Sequence, residues 1–242
     1  FLKEEKAPAF RSTQIFEWIY DKRVDSIDEM TNLGKPLKEA LAAKFQYPCL
    51  KLEQTENSED HETVKYLWRL KDDKFVESVL IRSGIRRTVC VSTQVGCPAR
   101  CAFCASGRKG FSRNLTVAEI IEQIVHSEEK PSHIVFMGMG EPLENLDAVL
   151  EAIKIITQKF KISHRRVTLP TEEIPEKIRL LANSGLNINL ALSLHAPTQE
   201  LRQKLIPYAK KYPLKDVLQS TDYYAGKTKR DMTYEYILID NF

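Results

Sequence analysis

A chain of 242 residues with 43% hydrophobic side chains is long enough to bury one medium-sized core plus a small appendage. It has no run of about eighteen apolar residues and no signal peptide, which argues against a membrane span and secretion and sets a cytoplasmic expectation. The net charge of +3 does not by itself demand a polyanionic partner, and five cysteines make a poor disulfide framework that fits a reducing compartment.

Residues 1–48 predict a separate helical module. Phe10, Ile15, Trp18 and Ile19 give a helical stripe, and Ser26-Ile-Asp-Glu29 has the form of a capping box opening a second short helix. Gly34 and Pro36 punctuate ahead of Leu37 to Phe45. Three short helices carry little core alone, so the module should dock on the rest as an accessory. Residues 49–87 predict a β-hairpin extension. A first strand and a polar turn, Glu56 to Asp60, precede strands at Thr63–Leu70 and Lys74–Ile81, joined around Asp72-Asp73.

From residue 88 to 242 strand and helix alternate. Strands are expected at Thr88–Ser92, His133–Met137, Arg166–Leu169, Ile188–Leu194 and Thr233–Ile239. Between them lie a helix capped by Thr116 and Glu119, a second from Asn145 to Gln158, a third near Pro175 to Ala182 stopped by Gly185, and a fourth from Leu214 to Tyr224. Repeated βα units imply a parallel sheet. Five such strands fall short of a closed eight-stranded barrel, so the predicted fold is α/β, a partial, open parallel β/α barrel whose functional loops sit at the strand C-termini.

The loop after the first of these strands holds Cys97-Pro-Ala-Arg-Cys101-Ala-Phe-Cys104, with no cysteine after it. A structural zinc or an ordinary iron–sulfur cluster takes four protein ligands. Three thiolates on one loop can hold three corners of a [4Fe–4S] cube and leave one iron open to a small chelating ligand. A zinc site completed by a distant histidine, or three unrelated buried thiols, are the bland alternatives. Two other strand ends could serve the same site. Met137-Gly-Met-Gly-Glu-Pro142 offers close backbone approach at Gly140 and a carboxylate at Glu141, suited to an ammonium group. Ser193-Leu194-His195 ends the fourth strand. Taken singly, each is more often a turn or a structural histidine. Basic clusters at Arg82, Arg86 and Arg87, at Arg108, Lys109 and Arg113, at His164 to Arg166, and at Lys227, Lys229 and Arg230 are each better read as solvated faces than phosphate sites.

The CxxxCx(aromatic)C spacing, with Phe103 as the aromatic residue, resembles the radical S-adenosylmethionine (SAM) superfamily. Cys90-Val-Ser-Thr-Gln-Val-Gly-Cys97, Gly110-Phe-Ser-Arg-Asn114, Phe136-Met-Gly-Met-Gly-Glu-Pro142, Arg165-Arg-Val-Thr168 and Ser193-Leu-His-Ala-Pro197 together resemble the RlmN/Cfr family of RNA adenine methyltransferases. Phe16-Glu-Trp-Ile-Tyr20 and Asp28-Glu-Met-Thr-Asn-Leu33 are similar to that family's amino-terminal helical domain, so the resemblance runs from near residue 10 to residue 242. The motifs are closer to the branch that methylates adenine C2 than to the one that methylates C8.

The resemblance implies a [4Fe–4S] cluster on Cys97, Cys101 and Cys104, and SAM held by Gly140, Glu141, Ser193, Leu194 and His195. It implies ribosomal RNA as substrate, with transfer RNA as an open second one, an external low-potential electron donor, no membrane, and a monomer. In the implied chemistry one SAM methylates a cysteine near the family's carboxyl terminus. A second SAM is reductively cleaved, and the activated methyl carbon adds to adenine C2. Cys90, seven residues before the cluster motif, matches the second cysteine, which releases the product by forming a disulfide with the first. Glu77, thirteen residues before Cys90, matches the family's proton acceptor. Without the resemblance, Cys90 could be a buried inert thiol and Glu77 a plain strand carboxylate.

Two departures stand out. Pro170-Thr-Glu-Glu173 replaces a Ser-Thr-x-Gly loop whose serine is expected to contact SAM, so that contact is altered or residues are absent. The row ends at Asn241-Phe242, before the family's methyl-carrying cysteine and an asparagine expected to touch SAM, so a longer full protein is expected. An adenine-C8 methylating enzyme, a non-catalytic iron–sulfur or RNA-binding fragment, and a one-electron carrier are the rival readings.

Overall fold

The computed structural model describes residues 1–240. The chain opens with α1 (Phe10–Phe16), continued by a π-helical turn to Lys22, and α2 (Lys35–Lys44). Strands β1 (Leu50–Asn57), β2 (Thr63–Leu70), β3 (Phe75–Ser83) and β4 (Arg86–Cys90) follow, each antiparallel to the one before. A small ribbon, β5 (Gln94–Gly96) and β6 (Phe111–Asn114), frames the cysteine loop and the single-turn α3 (Ala105–Arg108). The alternating part then runs α4 (Val117–Val125), β7 (His133–Val135), α5 (Leu146–Gln158), β8 (Val167–Thr171), α6 (Pro175–Asn183) and β9 (Asn189–Ser193). It closes with α7 (Gln199–Leu205), α8 (Leu214–Thr228) and β10 (Met232–Glu235).

One sheet carries eight strands in the order β1-β2-β3-β4-β7-β8-β9-β10. Its members β4, β7, β8, β9 and β10 run parallel, which are the five β/α units expected from the sequence. The sheet ends at β1 and β10 without closing, so the barrel is open. Strands buried on both faces read as near-continuous apolar runs, and Leu190, Ala191 and Leu192 of β9 are all inaccessible. The helical faces meet them: Ile120 and Ile124 of α4 and Val149, Ile153 and Ile156 of α5 join the same core. Thr116 and Glu119 form the expected capping box, with Glu119 N–H donating to Thr116 Oγ1 at 3.2 Å and Thr116 N–H to Glu119 Oε2 at 2.8 Å. Among the described residues no helix is long and apolar enough to cross a membrane.

The helical module has its own small core of Val24, Ile27, Met30, Leu33 and Leu41. Arg23, in the left-handed region at φ 58°, fastens it to the barrel by donating to the Val125 and Ser127 carbonyls at the end of α4. Those carbonyls lack helical partners, so a cation there satisfies both the hydrogen bonds and the helix dipole. The Ser26 motif differs from expectation. Glu29 accepts from Asp25 N–H and Ser26 Oγ, but Ser26 caps no helical N–H, and only one 3-10 turn, Ile27–Glu29, forms before the chain turns toward α2. Strand β10 also stops earlier than expected, because Ile237 N–H leaves the ladder to donate to His195 Nδ1 at 3.2 Å.

Candidate active site

The C-terminal ends of the parallel strands converge on a cavity of about 280 Å³. Cys97, Cys101 and Cys104 line it from the loop after β4, Gly138, Gly140 and Glu141 from the loop after β7, and Pro170, Thr171 and Glu172 from the end of β8. Ser193 and His195 of the β9 end and Glu235 of β10 complete the wall. Ligand sites of parallel sheets collect at such ends.

The three thiols sit in an apolar nest of Ala99, Ala196, Leu205, Ile206 and Ala209. Burial pushes the Cys97 thiol up to about 12. It raises Cys101 too, where Glu172 Oε1 accepts from the thiol at 2.9 Å. Thiolates at these positions therefore need a cation to hold their charge, and iron supplies it. Among the described residues no three His, Cys, Asp or Glu side chains gather around a single ion. A four-iron cube instead holds its thiolates apart at separate corners, and three soft sulfur donors opening onto one cavity fit that group.

Glu141 is 2% exposed and already accepts three hydrogen bonds. Leu143 N–H (2.9 Å) and Thr171 Oγ1 (3.0 Å) donate to its Oε1, and Glu172 N–H (2.9 Å) donates to its Oε2. Burial nevertheless pushes its carboxyl up to about 7. The carboxylate thus ties the β7 loop to the end of β8 while facing the cavity. The glycines beside it serve the loop itself. A Cβ on Gly138 would lie 2.7 Å from Ser92 N, and one on Gly140, at φ 108°, would lie 2.6 Å from Gln94 Cβ. The close approach expected there is made by the stem of the cysteine loop.

His195 stands at φ 55° with its ring edge-on to Phe103, centroids 4.8 Å apart. Burial lowers its pKa, so the ring is neutral near pH 7, and acceptance at Nδ1 from Ile237 places the proton on Nε2. Ser193 Oγ lies 3.4 Å from Glu235 Oε2. Leu194 lies outside the cavity wall and contributes backbone, its N–H donating to Glu235 O and its carbonyl accepting from Arg202.

Glu77 and Cys90 also lie outside the cavity wall. Cys90 pairs directly with Val79, and Glu77 is two residues before Val79 on the same strand. Alternation therefore puts Glu77 and Cys90 on one face of the β3–β4 pair. Glu77 is exposed, 3.8 Å from Lys65 Nζ. Burial pushes the Cys90 thiol up to about 11, offset in part by the backbone N–H of Met137, which lines the cavity.

Sequence reasoning did not single out Arg202. It is fully buried in α7 and donates to the carbonyls of Leu194 (3.0 Å), Ser193 (2.9 Å) and Glu172 (2.7 Å), while pairing with the equally buried Glu173. At the departure, Pro170 lies within β8, and the residues after it are held by Glu141 on one side and Arg202 on the other. The available signal was an arginine among Leu201, Leu205 and Ile206. Arg202→Met should destabilise the fold by about 3–5 kcal/mol, because it leaves a buried charge unpaired. Arg202→Met/Glu173→Met should recover part of that loss in denaturant unfolding. Equal stability of the single variant and the wild type would show that the pair holds nothing.

Models of two families match the chain: the radical SAM superfamily over residues 91–242, and the ribosomal RNA large subunit methyltransferase N-terminal domain over residues 1–46. A probable dual-specificity RNA methyltransferase RlmN 2 of Protochlamydia amoebophila is 53% identical over 99% of this chain and 69% of its own length. A probable RlmN of Thermotoga neapolitana is 45% identical over 95% of this chain and 69% of its own. The crystal structure of a radical SAM methyltransferase from Sphaerobacter thermophilus superposes with a TM-score of 0.95 at 36% identity, covering 99% of this chain and 73% of that one. Five parallel strands, three thiols on the loop after the first, and these matches across nearly the whole chain lead to one assignment: the chain belongs to the RlmN/Cfr family of radical SAM enzymes, which use a [4Fe–4S] cluster and SAM.

Proposed function

We propose that this protein methylates C2 of adenosine in ribosomal RNA, and in transfer RNA as a second substrate, as a cytosolic monomer reduced by an external donor. Three thiols opening onto the cavity that Glu141, Ser193 and His195 also line carry this reading. Adenine C2 is electron-poor and its hydrogen is not acidic, so direct methyl transfer from SAM lacks a nucleophile. A cluster-bound SAM supplies radical chemistry that does not need one. Cys97, Cys101 and Cys104 would hold the cluster, Glu141 the cofactor's ammonium, and the His195 Nε2–H a polar acceptor on it.

Glu77 and Cys90 take the later steps. Glu77, exposed on the strand face it shares with Cys90 and 3.8 Å from Lys65 Nζ, would accept the proton lost from C2. Cys90 is held as a neutral thiol by burial and acts as the thiol that resolves the protein–RNA adduct. In full-length enzyme carrying the methyl-bearing cysteine, Cys90→Ala should keep its iron and stall after one turnover with RNA covalently attached. Multiple turnover at the wild-type rate would remove Cys90 from the mechanism. Nucleoside mass spectrometry of the product should show 2-methyladenosine. An 8-methyladenosine product would overturn the C2 assignment.

A further inference from the structure

The cysteine loop has two sides, and they differ in charge. Cys97, Cys101, Cys104 and Gly107 face the cavity, whereas Arg100, Arg108 and Lys109 are exposed and outside its wall. The loop packs on α7 and the turn after it, where Ala102 N–H donates to the Leu205 carbonyl at 2.8 Å. Lys204 and Lys210 are exposed on that neighbouring segment. Residues 97–114 contain no acidic side chain, and residues 199–211 contain Glu200 alone. Among the described residues none of these five cations has an ion pair or a side-chain hydrogen bond. By contrast Arg82 and Arg87 are held by Glu129, and Arg113 by Asp72 and Glu119. Arg82, Arg87 and Arg113 are thus absorbed by the fold, while the cations on the outer side of the cluster loop are left over.

We propose that the outer surface of the cluster loop, marked by Arg100, Arg108, Lys109, Lys204 and Lys210, is the docking site for an acidic one-electron carrier protein that reduces the cluster. This inference rests on the functional reading above, in which reductive cleavage of SAM consumes an electron that neither SAM nor RNA brings. The reduced carrier loses one electron, the [4Fe–4S] cluster gains it in passing from the 2+ to the 1+ state, and no bond or proton changes place. Electron transfer weakens steeply with distance, so a carrier gains most by docking where the chain over the iron is thinnest. Arg100 lies between two of the cluster cysteines in sequence, exposed and outside the cavity wall. RNA is the other polyanion, but its reacting groups are Glu77 and Cys90 on β3 and β4. The patch is carried instead by the loop between β5 and β6 and by the segment after β9, and none of its five residues lies on β3 or β4.

The test uses anaerobically reconstituted holoprotein and a reduced flavodoxin, an acidic flavin protein, as the probe. Stopped-flow bleaching of the cluster gives the reduction rate for the wild type, Arg108→Glu/Lys109→Glu and Lys204→Glu/Lys210→Glu, variants that leave every cysteine in place. At low salt the flavodoxin rate should fall at least tenfold in each variant, and the fall should shrink as salt screens the charges. Iron content, reduction by photoreduced deazaflavin (small and uncharged) and affinity for RNA should stay at wild-type values. Unchanged flavodoxin rates would overturn the proposal, and a fall in RNA affinity instead would reassign the patch to RNA. A wild type that takes up no cluster would defeat the reading of the cavity itself, which is a different result.

Discussion

Cys101→Ala should lose nearly all cluster iron. Wild-type protein reconstituted without oxygen should carry about four irons per chain, the content of one cube. The side chain is 4% exposed in its apolar nest, and the one donor beside it, the Glu172 carboxylate, is a hard oxygen ligand that does not replace a thiolate at an iron–sulfur corner. The cluster's three anchors are also all that hold it, since the fourth iron is left to the cofactor. A site with three attachments tolerates the loss of one poorly. Iron should fall below about one per chain, and SAM should leave the protein's spectrum unchanged. Cys49→Ala and Cys90→Ala are the controls, because neither lines the cavity, and both should keep full iron. Retention of four irons by Cys101→Ala would exclude the assignment of this cysteine as a ligand.

Glu141→Gln should weaken SAM binding at least tenfold while leaving iron content unchanged. The amide keeps the volume but loses the charge, and it turns a donor toward at least one of the three groups that now donate to the carboxylate. Burial raises the folded carboxyl to about 7, so the group is neutral below that pH and an anion above it. An ammonium prefers the anion, so wild-type affinity should climb as pH rises from 5.5 to 7.5. It should fall as pH drops through about 7. The Gln variant should be nearly flat over the same window. Equilibrium dialysis with labelled SAM reads both. A wild-type affinity independent of pH and unchanged by the substitution would leave Glu141 as a loop brace only. Methylthioadenosine, which lacks the ammonium, should bind both proteins alike.

Much of this architecture can be read from local pattern. Strand β9 carries a continuous apolar run, and Thr116 with Glu119 marks the start of α4 by chemistry that depends on four neighbouring residues. Cysteine spacing is equally local. What escaped the pattern depends on partners far apart in the chain. Arg202 looks like an ordinary residue on α7 until Ser193, Leu194 and Glu173 are brought against it. The Gly-Met-Gly turn reads as room for a ligand, yet Ser92 and Gln94 of the preceding strand's extension occupy that room. The early end of β10 follows from His195 drawing away the Ile237 N–H. No periodicity in residues 233–239 records that competition. Charge clusters behaved the same way: Arg82 and Arg113 are structural because acidic partners come from other elements.

Three thiols in a shared cavity leave one iron of the cluster open for SAM. Electron paramagnetic resonance of the reduced, reconstituted protein tests it most directly, with and without saturating SAM. The cluster signal should shift when SAM is added and stay unshifted with methylthioadenosine, which lacks the chelating amino acid. A full complement of four irons with a signal indifferent to SAM would contradict it.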